Sequence, residues 1–302
     1  MYVNKHIRIV HLVAMSWKSV TALALVVSLI TIIYLDLLHL HVAVSMSVIS
    51  GISTAISFFI AFFTAQAYDR WWEARKIWGA FVNDSRSFGR MVTTLFGKAG
   101  NGSEVPAIQE RLIRRHIAYL YAVKARLRGE DAETYSDYMS EEDAGRVEGS
   151  SNAGNTLLGF QGEDIDAAER SGHIDVIRMA QLNDMLSRFS TSQGMAERIK
   201  GTVFPAHYSS MIRLSIWIFV LVFPAALSEE IGHWAIFFSS LLGTIFVLVY
   251  RAGQALLDPF EGTPNDTPMS SIVRTIEINL LEQIGEKNLP DPVEPVNGRY
   301  LM

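Results

Sequence analysis

Hydrophobic positions along this chain gather into four runs separated by polar sequence. They are Val20–Leu38, broken only by Asp36 near its end; Val42–Ala67, with no charge at all; Leu214–Leu227, extendable to Ile212 and Ser228; and Ile231–Tyr250, with His233 near its start. A helix that crosses a bilayer needs roughly 20 mostly apolar residues in a row, and the first, second and fourth runs have them. The third is shorter and contains Pro224. It still reads as a span, because the fourth needs a partner that returns the chain. The predicted fold class is an all-α membrane protein with four transmembrane helices plus a helical cytosolic domain.

The segments between runs predict an orientation. Asp36-Leu-Leu-His-Leu-His41 and Ser228-Glu-Glu-Ile-Gly-His233 contain no lysine or arginine, so all 26 basic residues fall on the opposite side. Basic residues accumulate on the cytoplasmic side of membrane proteins, which predicts a multi-pass protein of the cell inner membrane with both termini in the cytoplasm. The competing reading is that two short loops lack basic residues by chance.

The stretch from Asp69 to Arg213 is then a cytosolic insertion, and its periodicity is mostly helical. Tyr68–Thr94 carries Trp71, Trp72, Ile77, Trp78, Phe81, Val82 and Phe88 at mixed three- and four-residue spacings. Gly97–Gly102 should break that helix. Ser103 then offers an N-cap, and Pro106 sits in the first turn of a helix running to about Leu127. Arg128–Gly172 is polar, acidic and glycine-rich, and reads as short helices and loops that are loosest at Ser150–Asn155. Ile174, Ile177, Leu182, Met185, Leu186 and Phe189 recur at amphipathic helical spacing. The tail from Pro290 is proline-rich and extended. The predicted division is 1–68 for the N-terminal segment and first two spans, 69–211 for the cytosolic region, 212–250 for the last two spans, and 251–302 for a cytosolic helix and tail.

Composition narrows the chemistry. Charged residues make up 19% of the chain and hydrophobic ones 49%, so the apolar clustering is that of a membrane protein. The absence of cysteine removes disulfides and thiolate chemistry. A net charge of −5 does not point to nucleic acid. No cleavable signal peptide is expected, although Lys5, Arg8 and Lys18 precede the first run. The histidines are scattered, and no zinc-protease, nucleophile-elbow or phosphate-loop motif is present. Asp36, His39 and His41 sit together but read as a polar cap. No enzyme activity and no cofactor are predicted.

The second run is the most informative. Ser50, Ser53, Ser57 and Thr64 recur at close to helical spacing, with Ala61 filling the gap, so one face is small and hydroxylated. Thr54, Phe58 and Phe62 form a second stripe at i, i+4 and i+8. Lipid does not reward hydroxyls, whereas a neighbouring helix or water does. Two readings follow: small residues for close helix packing, or a pore wall with a phenylalanine constriction. One helix cannot enclose a pore, so the second reading requires several spans or several subunits.

The exit of that run reads Tyr68-Asp-Arg-Trp-Trp-Glu-Ala-Arg-Lys-Ile-Trp-Gly79. Tryptophan followed by basic residues is ordinary interfacial anchoring, and Asp69, Glu73, Arg70 and Lys76 stand at spacings that allow pairing along one helix. Together with Phe62–Arg75, Trp78-Gly79 and Ser85-Arg86, this block resembles the bestrophin family, its bacterial branch in particular. Gly194-Met-Ala-Glu-Arg-Ile199 with Pro205 and Tyr208, and Leu257-Asp-Pro-Phe-Glu-Gly262 with Asn265-Asp266, extend the resemblance from the first span to about Glu282. The block Arg70, Trp71, Trp72, Glu73 and Arg75 is its most specific part and is implied to be a structural or interface motif.

The resemblance implies a homopentameric channel assembled around a central pore, with membrane lipid and permeant inorganic ions as its other partners. Thr54, Phe58 and Phe62 would form the neck, Thr54 departing from a bulkier aliphatic residue. Ile177 would form a cytosolic aperture; its competing reading is core packing. Eukaryotic relatives bind calcium after the fourth span. Here Asp258, Glu261 and Asp266 are interrupted by Thr263, Pro264 and Asn265, so they are weak calcium candidates and no metal is expected. The implied cargo is chloride and other anions. The alternative is a cation-selective channel for sodium or potassium, as in some bacterial members, with Glu229 and Glu230 near the outer mouth. A secondary transporter is the alternative of another class, but neither internal repeats nor mid-membrane charges are present.

Overall fold

The computed structural model describes residues 9–37, 45–97, 104–131 and 133–302. His39 and His41, the start of the second run, Ser103 and most of the Gly97–Gly102 break lie outside them. The chain divides into two compact units, one formed by Asn4–Arg70 and Val203–Leu257, the other chiefly by Trp71–Thr202 and Asp258–Met302.

The first unit holds four helices long and apolar enough to cross a membrane. Helix α1 covers Ile9–Ile32 and continues as a π-helical turn over Ile33–Leu37. Helix α2 begins at Met46, and its part up to Arg70 belongs here. Helices α8 (Ala206–Ile231) and α9 (Trp234–Gln254) complete the set. All four differ from the bounds of the apolar runs. The short third run becomes a helix of 26 residues, because helical geometry continues through the polar residues His207 to Arg213. Pro224 lies inside α8 and does not end it, as membrane helices allow when neighbours satisfy the freed carbonyl. Ser228–Glu230 is helical rather than a loop, and the reversal falls on Gly232, whose φ of +59° only glycine adopts without strain.

Helices α1, α8 and α9 pack against one another. At Gly243 of α9, an added Cβ would stand 2.9 Å from Leu23 Cδ1, so the glycine sets how closely α9 approaches α1. Polar bonds tie one end of this bundle. The Tyr34 hydroxyl donates to Glu229 Oε1 at 2.7 Å, and His233 Nε2 stands 3.2 Å from Asp36 Oδ2.

The second unit is built on the rest of α2, which runs unbroken to Leu95 for 50 residues in all. Around it are α3 (Val105–Arg128), the short α4 (Glu133–Ser136) and α5 (Glu141–Glu148), then α6 (Ala153–Arg170), α7 (Val176–Gly201) and α10 (Met269–Gln283). Glu104 takes the N-cap position of α3 without a side-chain bond, and Pro106 follows in the first turn. The acidic stretch is more ordered than short helices and loops. Asn152 Oδ1 accepts the Asn155 N–H at 3.2 Å and starts an 18-residue helix, so the segment read as loosest is a cap. Helix α7 is likewise capped, by Asp175 on the Arg178 N–H, and runs well past Phe189. From Pro290 the chain is non-helical, and its end returns to α10 through the Ser271 N–H and the Met302 carbonyl, 2.9 Å apart.

The core of this unit is aromatic, with Trp78, Phe81, Phe88, Tyr119 and Phe189 fully buried. His116 lies among them, its ring 4.4 Å from that of Phe189 and its Nε2 2.9 Å from Ser85 Oγ. Burial holds it neutral, its pKa falling from 6.5 to about 3, with the nearby Gln161 side chain acting weakly in the opposite sense. Between about pH 6.5 and 3 the unfolded chain binds a proton at His116 that the folded chain does not. Stability from this site is therefore complete above pH 6.5 and is lost as pH falls, by on the order of 1 kcal/mol per pH unit. His116→Phe should flatten this part of the pH dependence, measured as thermal unfolding temperature from pH 7 to pH 4.

Beside this core, Arg115 joins two acidic side chains. It donates to Asp143 at 2.7 and 2.8 Å and to Asp164 at 2.6 Å, and all three side chains are largely buried. Glu277, also buried, accepts from the hydroxyls of Tyr121 and Tyr138 and pairs with Arg274 at 2.9 Å.

Candidate functional site

The membrane part of α2 buries only one stripe: Ile49, Ile56, Ile60, Phe63 and Ala67. Phe63 is its anchor. Its ring centroid lies 5.3 Å from Phe204 and 5.1 Å from Tyr250, and Gly253 admits it, since a Cβ there would come within 2.9 Å of the ring. The stripe carrying Thr54, Phe58 and Phe62 faces away from that contact. Phe58 is 61% exposed and Phe62 49%. Their rings meet edge to face with centroids 4.6 Å apart, a favoured aromatic geometry.

Four hydroxyls of this span, Thr54 of the stripe and Ser53, Ser57 and Thr64 of the small face, donate inside the helix. Ser53 and Thr54 donate to the Ser50 carbonyl at 3.0 and 2.8 Å, Ser57 to that of Ser53 at 2.8 Å, and Thr64 to that of Ile60 at 2.9 Å. No ionisable side chain falls between Met46 and Tyr68. The exposed surface of this span is thus uncharged, and these four hydroxyls need no further acceptor.

In the second unit, Ile177 occupies the first turn of α7 and is 72% exposed. Core packing is excluded for it within one chain. Leu182, Met185, Leu186 and Phe189, further along α7, make the buried face. At the exit of the span, Trp71 Nε1 donates to the Asn265 carbonyl at 2.8 Å, and the Trp71 and Trp72 rings stack 6.2 Å apart. Glu73 takes its bond from Arg198 of α7 at 2.7 Å rather than from a neighbour on its own helix. Arg70 and Arg75 are half-buried.

The weak calcium candidates do not converge. Asp258 pairs with Lys200 at 2.6 Å. Asp266 is buried, and its oxygens accept the Gly262 and Thr263 N–H groups and the Thr263 hydroxyl. Glu261 is exposed. Among the described residues no three acidic, histidine or cysteine side chains gather as a metal cluster, and Asp266 already accepts three hydrogen bonds from the chain itself. The donor set does not fit calcium, which needs six to eight oxygens.

Residues 5–282 match the family described as Bacterial/Fungal Bestrophin protein. The chain is a bestrophin. The voltage-dependent anion channel-forming protein YneE of Escherichia coli strain K12 is 30% identical over 258 residues, 85% of this chain and 83% of that protein. The voltage-dependent anion channel-forming protein mll4386 of Mesorhizobium japonicum is 28% identical over 235 residues, 78% of this chain and 74% of that one. A crystal structure of a bacterial bestrophin homolog from Klebsiella pneumoniae has the same fold, with a TM-score of 0.82 at 24% identity over 89% of this chain and 98% of that one. Bestrophins are ion channels, and this bestrophin is not an enzyme.

Sequence reasoning missed two polar contacts in this bestrophin: Glu73 with Arg198, and Glu229 with Tyr34. Both join residues more than 100 positions apart, which no local spacing reveals. A signal for the second was available, since Glu229 and Glu230 follow an apolar run directly and a helix end there needs a partner.

Proposed function

We propose that this bestrophin is a subunit of a homopentameric channel in the cell inner membrane that passes chloride and other small anions. In this reading copies of α2 surround one central pore, Thr54, Phe58 and Phe62 form its neck, and Ile177 forms a second narrow point. Residues 69–211 and 251–302 are cytosolic, as are both termini. The observation that carries the reading is the exposed Thr54–Phe58–Phe62 stripe, which lies on a membrane helix whose anchored stripe is elsewhere. A phenylalanine ring exposed in this way suits a hydrophobic constriction that gates by excluding water.

The sign of the ion comes from the relatives, which are named as anion channels. The neck carries no charge, so selectivity there would rest on aromatic edges and pore width rather than on a charged ring. The test is the reversal potential of reconstituted protein in asymmetric salt. A tenfold chloride gradient should move it towards about 59 mV in the anion direction, and movement in the cation direction would establish the sodium or potassium alternative. Counterflow that saturates with substrate would point to a transporter.

Ile177→Ala tests the second narrow point. Because Ile177 is 72% exposed, thermal stability should change by no more than about 0.5 kcal/mol. The permeability of large anions relative to chloride should rise, read from bi-ionic reversal potentials. Unchanged relative permeability in folded protein would remove Ile177 from the path.

A further inference from the structure

Within the first unit, a cleft of about 160 Å³ opens where α1, α8 and α9 meet. That is roughly ten times the space that admits one water. Its polar end holds Arg213 of α8 and Arg251 of α9, and Arg251 donates to Ser19 Oγ of α1 at 2.5 Å. Its other wall is apolar, formed by Leu23, Val220 and Val247 together with Trp217. Among the described residues no acidic side chain lines it, and Arg213 makes no ion pair.

We infer that this cleft binds an anionic phospholipid, its phosphate held between Arg213 and Arg251 and its acyl chain laid along Leu23, Val220 and Val247. Two observations and one general principle meet here. The two guanidiniums stand at the same end of the bundle, Arg213 early in α8 and Arg251 in the last turn of the antiparallel α9. Guanidiniums recognise phosphate through paired donors, and basic pockets between membrane helices suit anionic headgroups. Trp217, four residues after Arg213 and 40% exposed, is the residue type that settles at the headgroup level.

The polar floor is already ordered. The Tyr250 hydroxyl donates to the Ser209 carbonyl at 3.0 Å and accepts from Gln254 Nε2 at 3.2 Å. A headgroup therefore enters a site whose side chains are already bonded to one another, with Arg213 left to close over the phosphate. Lipid without net charge has the same chains but cancels the phosphate with its own ammonium, so it should be held less well. The inference rests on membrane insertion alone and not on ion conduction, so protein that passes no current still tests it.

The experiment uses full-length protein purified in detergent and equilibrated with equal amounts of phosphatidylglycerol and phosphatidylcholine of the same chain length. Bound lipid is read by native mass spectrometry. Phosphatidylglycerol should be retained on the order of tenfold over phosphatidylcholine, and Arg213→Ala with Arg251→Ala should bring the ratio close to one. Arg213→Lys alone should keep part of the preference, because charge survives without the paired donors. A ratio of one in the unaltered protein overturns the inference whatever the variants do, as does an unchanged ratio in the folded double variant. Displacement of the lipid by soluble glycerol phosphate at equal concentration also overturns it, since the phosphate alone would then suffice.

Discussion

Phe58→Ala should raise the ion flux of reconstituted protein roughly tenfold, the change expected when a barrier falls by about 1.4 kcal/mol. Phe58 is a large apolar ring on an uncharged membrane helix, 61% exposed, and its ring partner within the chain is Phe62. In the proposed pore each subunit contributes one such ring, so a single substitution removes a whole layer of the neck. A hydrophobic constriction resists ions because they must cross it with too little water around them. Widening it lowers that cost. The folded chain should tolerate the change, losing about 0.5–1.5 kcal/mol of aromatic contact, visible as a small drop in unfolding temperature. Phe59→Ala is the matched comparison, because Phe59 is 47% exposed but lies off the stripe. Flux unchanged by Phe58→Ala in folded, assembled protein would take Phe58 out of the pathway.

The largest effect on stability is expected at Arg115. Arg115→Leu should destabilise the protein by about 3–5 kcal/mol, lowering the unfolding temperature by roughly 10 °C. Its side chain is 12% exposed, that of Asp143 3% and that of Asp164 10%. Removing the guanidinium leaves Asp143 out of water without a counter-charge, and leaves Asp164 held only by the more exposed Arg111, 2.9 Å away. Neutralising the acids as well, with Asp143→Asn and Asp164→Asn in the Arg115→Leu background, should restore part of the loss. The exposed pair Arg170–Asp166 sets the scale: Arg170→Leu should cost no more than about 0.5 kcal/mol. Equal effects at Arg115 and Arg170, measured by thermal unfolding, would show that burial of the Arg115 network is energetically unimportant.

The four spans were legible because a bilayer leaves no choice. Backbone groups in lipid must bond within the segment, and the side chains must be apolar, so Val42–Ala67 announces itself. Their ends were less legible. Counting uncharged residues stops the third run at Leu214, whereas α8 starts at Ala206, because the helix runs on through His207, Ser209 and Arg213. Helix α6 was hidden for another reason. Its start, Ser-Ser-Asn-Ala-Gly-Asn, has the composition of a loop, and only the bond from the Asn155 N–H to Asn152 turns it into a cap. Of the candidate site, the i, i+4, i+8 spacing placed Thr54, Phe58 and Phe62 on one stripe. It could not say which stripe was anchored. That depended on Gly253 and Tyr250, nearly 200 positions away, which take Phe63. Ile177 was undecided for the same reason, since an amphipathic pattern names an apolar residue without naming its neighbour.

The back-bonded hydroxyls of α2 carry a consequence for what can pass them. Thr54 spends its one hydrogen on the Ser50 carbonyl, so outward it offers only lone pairs. A ring of five such oxygens in the proposed neck can take the place of water around a cation but has no proton to give an anion. Chloride crossing at Thr54 must therefore keep its hydration shell and be sorted there by size, and any stripping of that shell falls to the phenylalanine layers below.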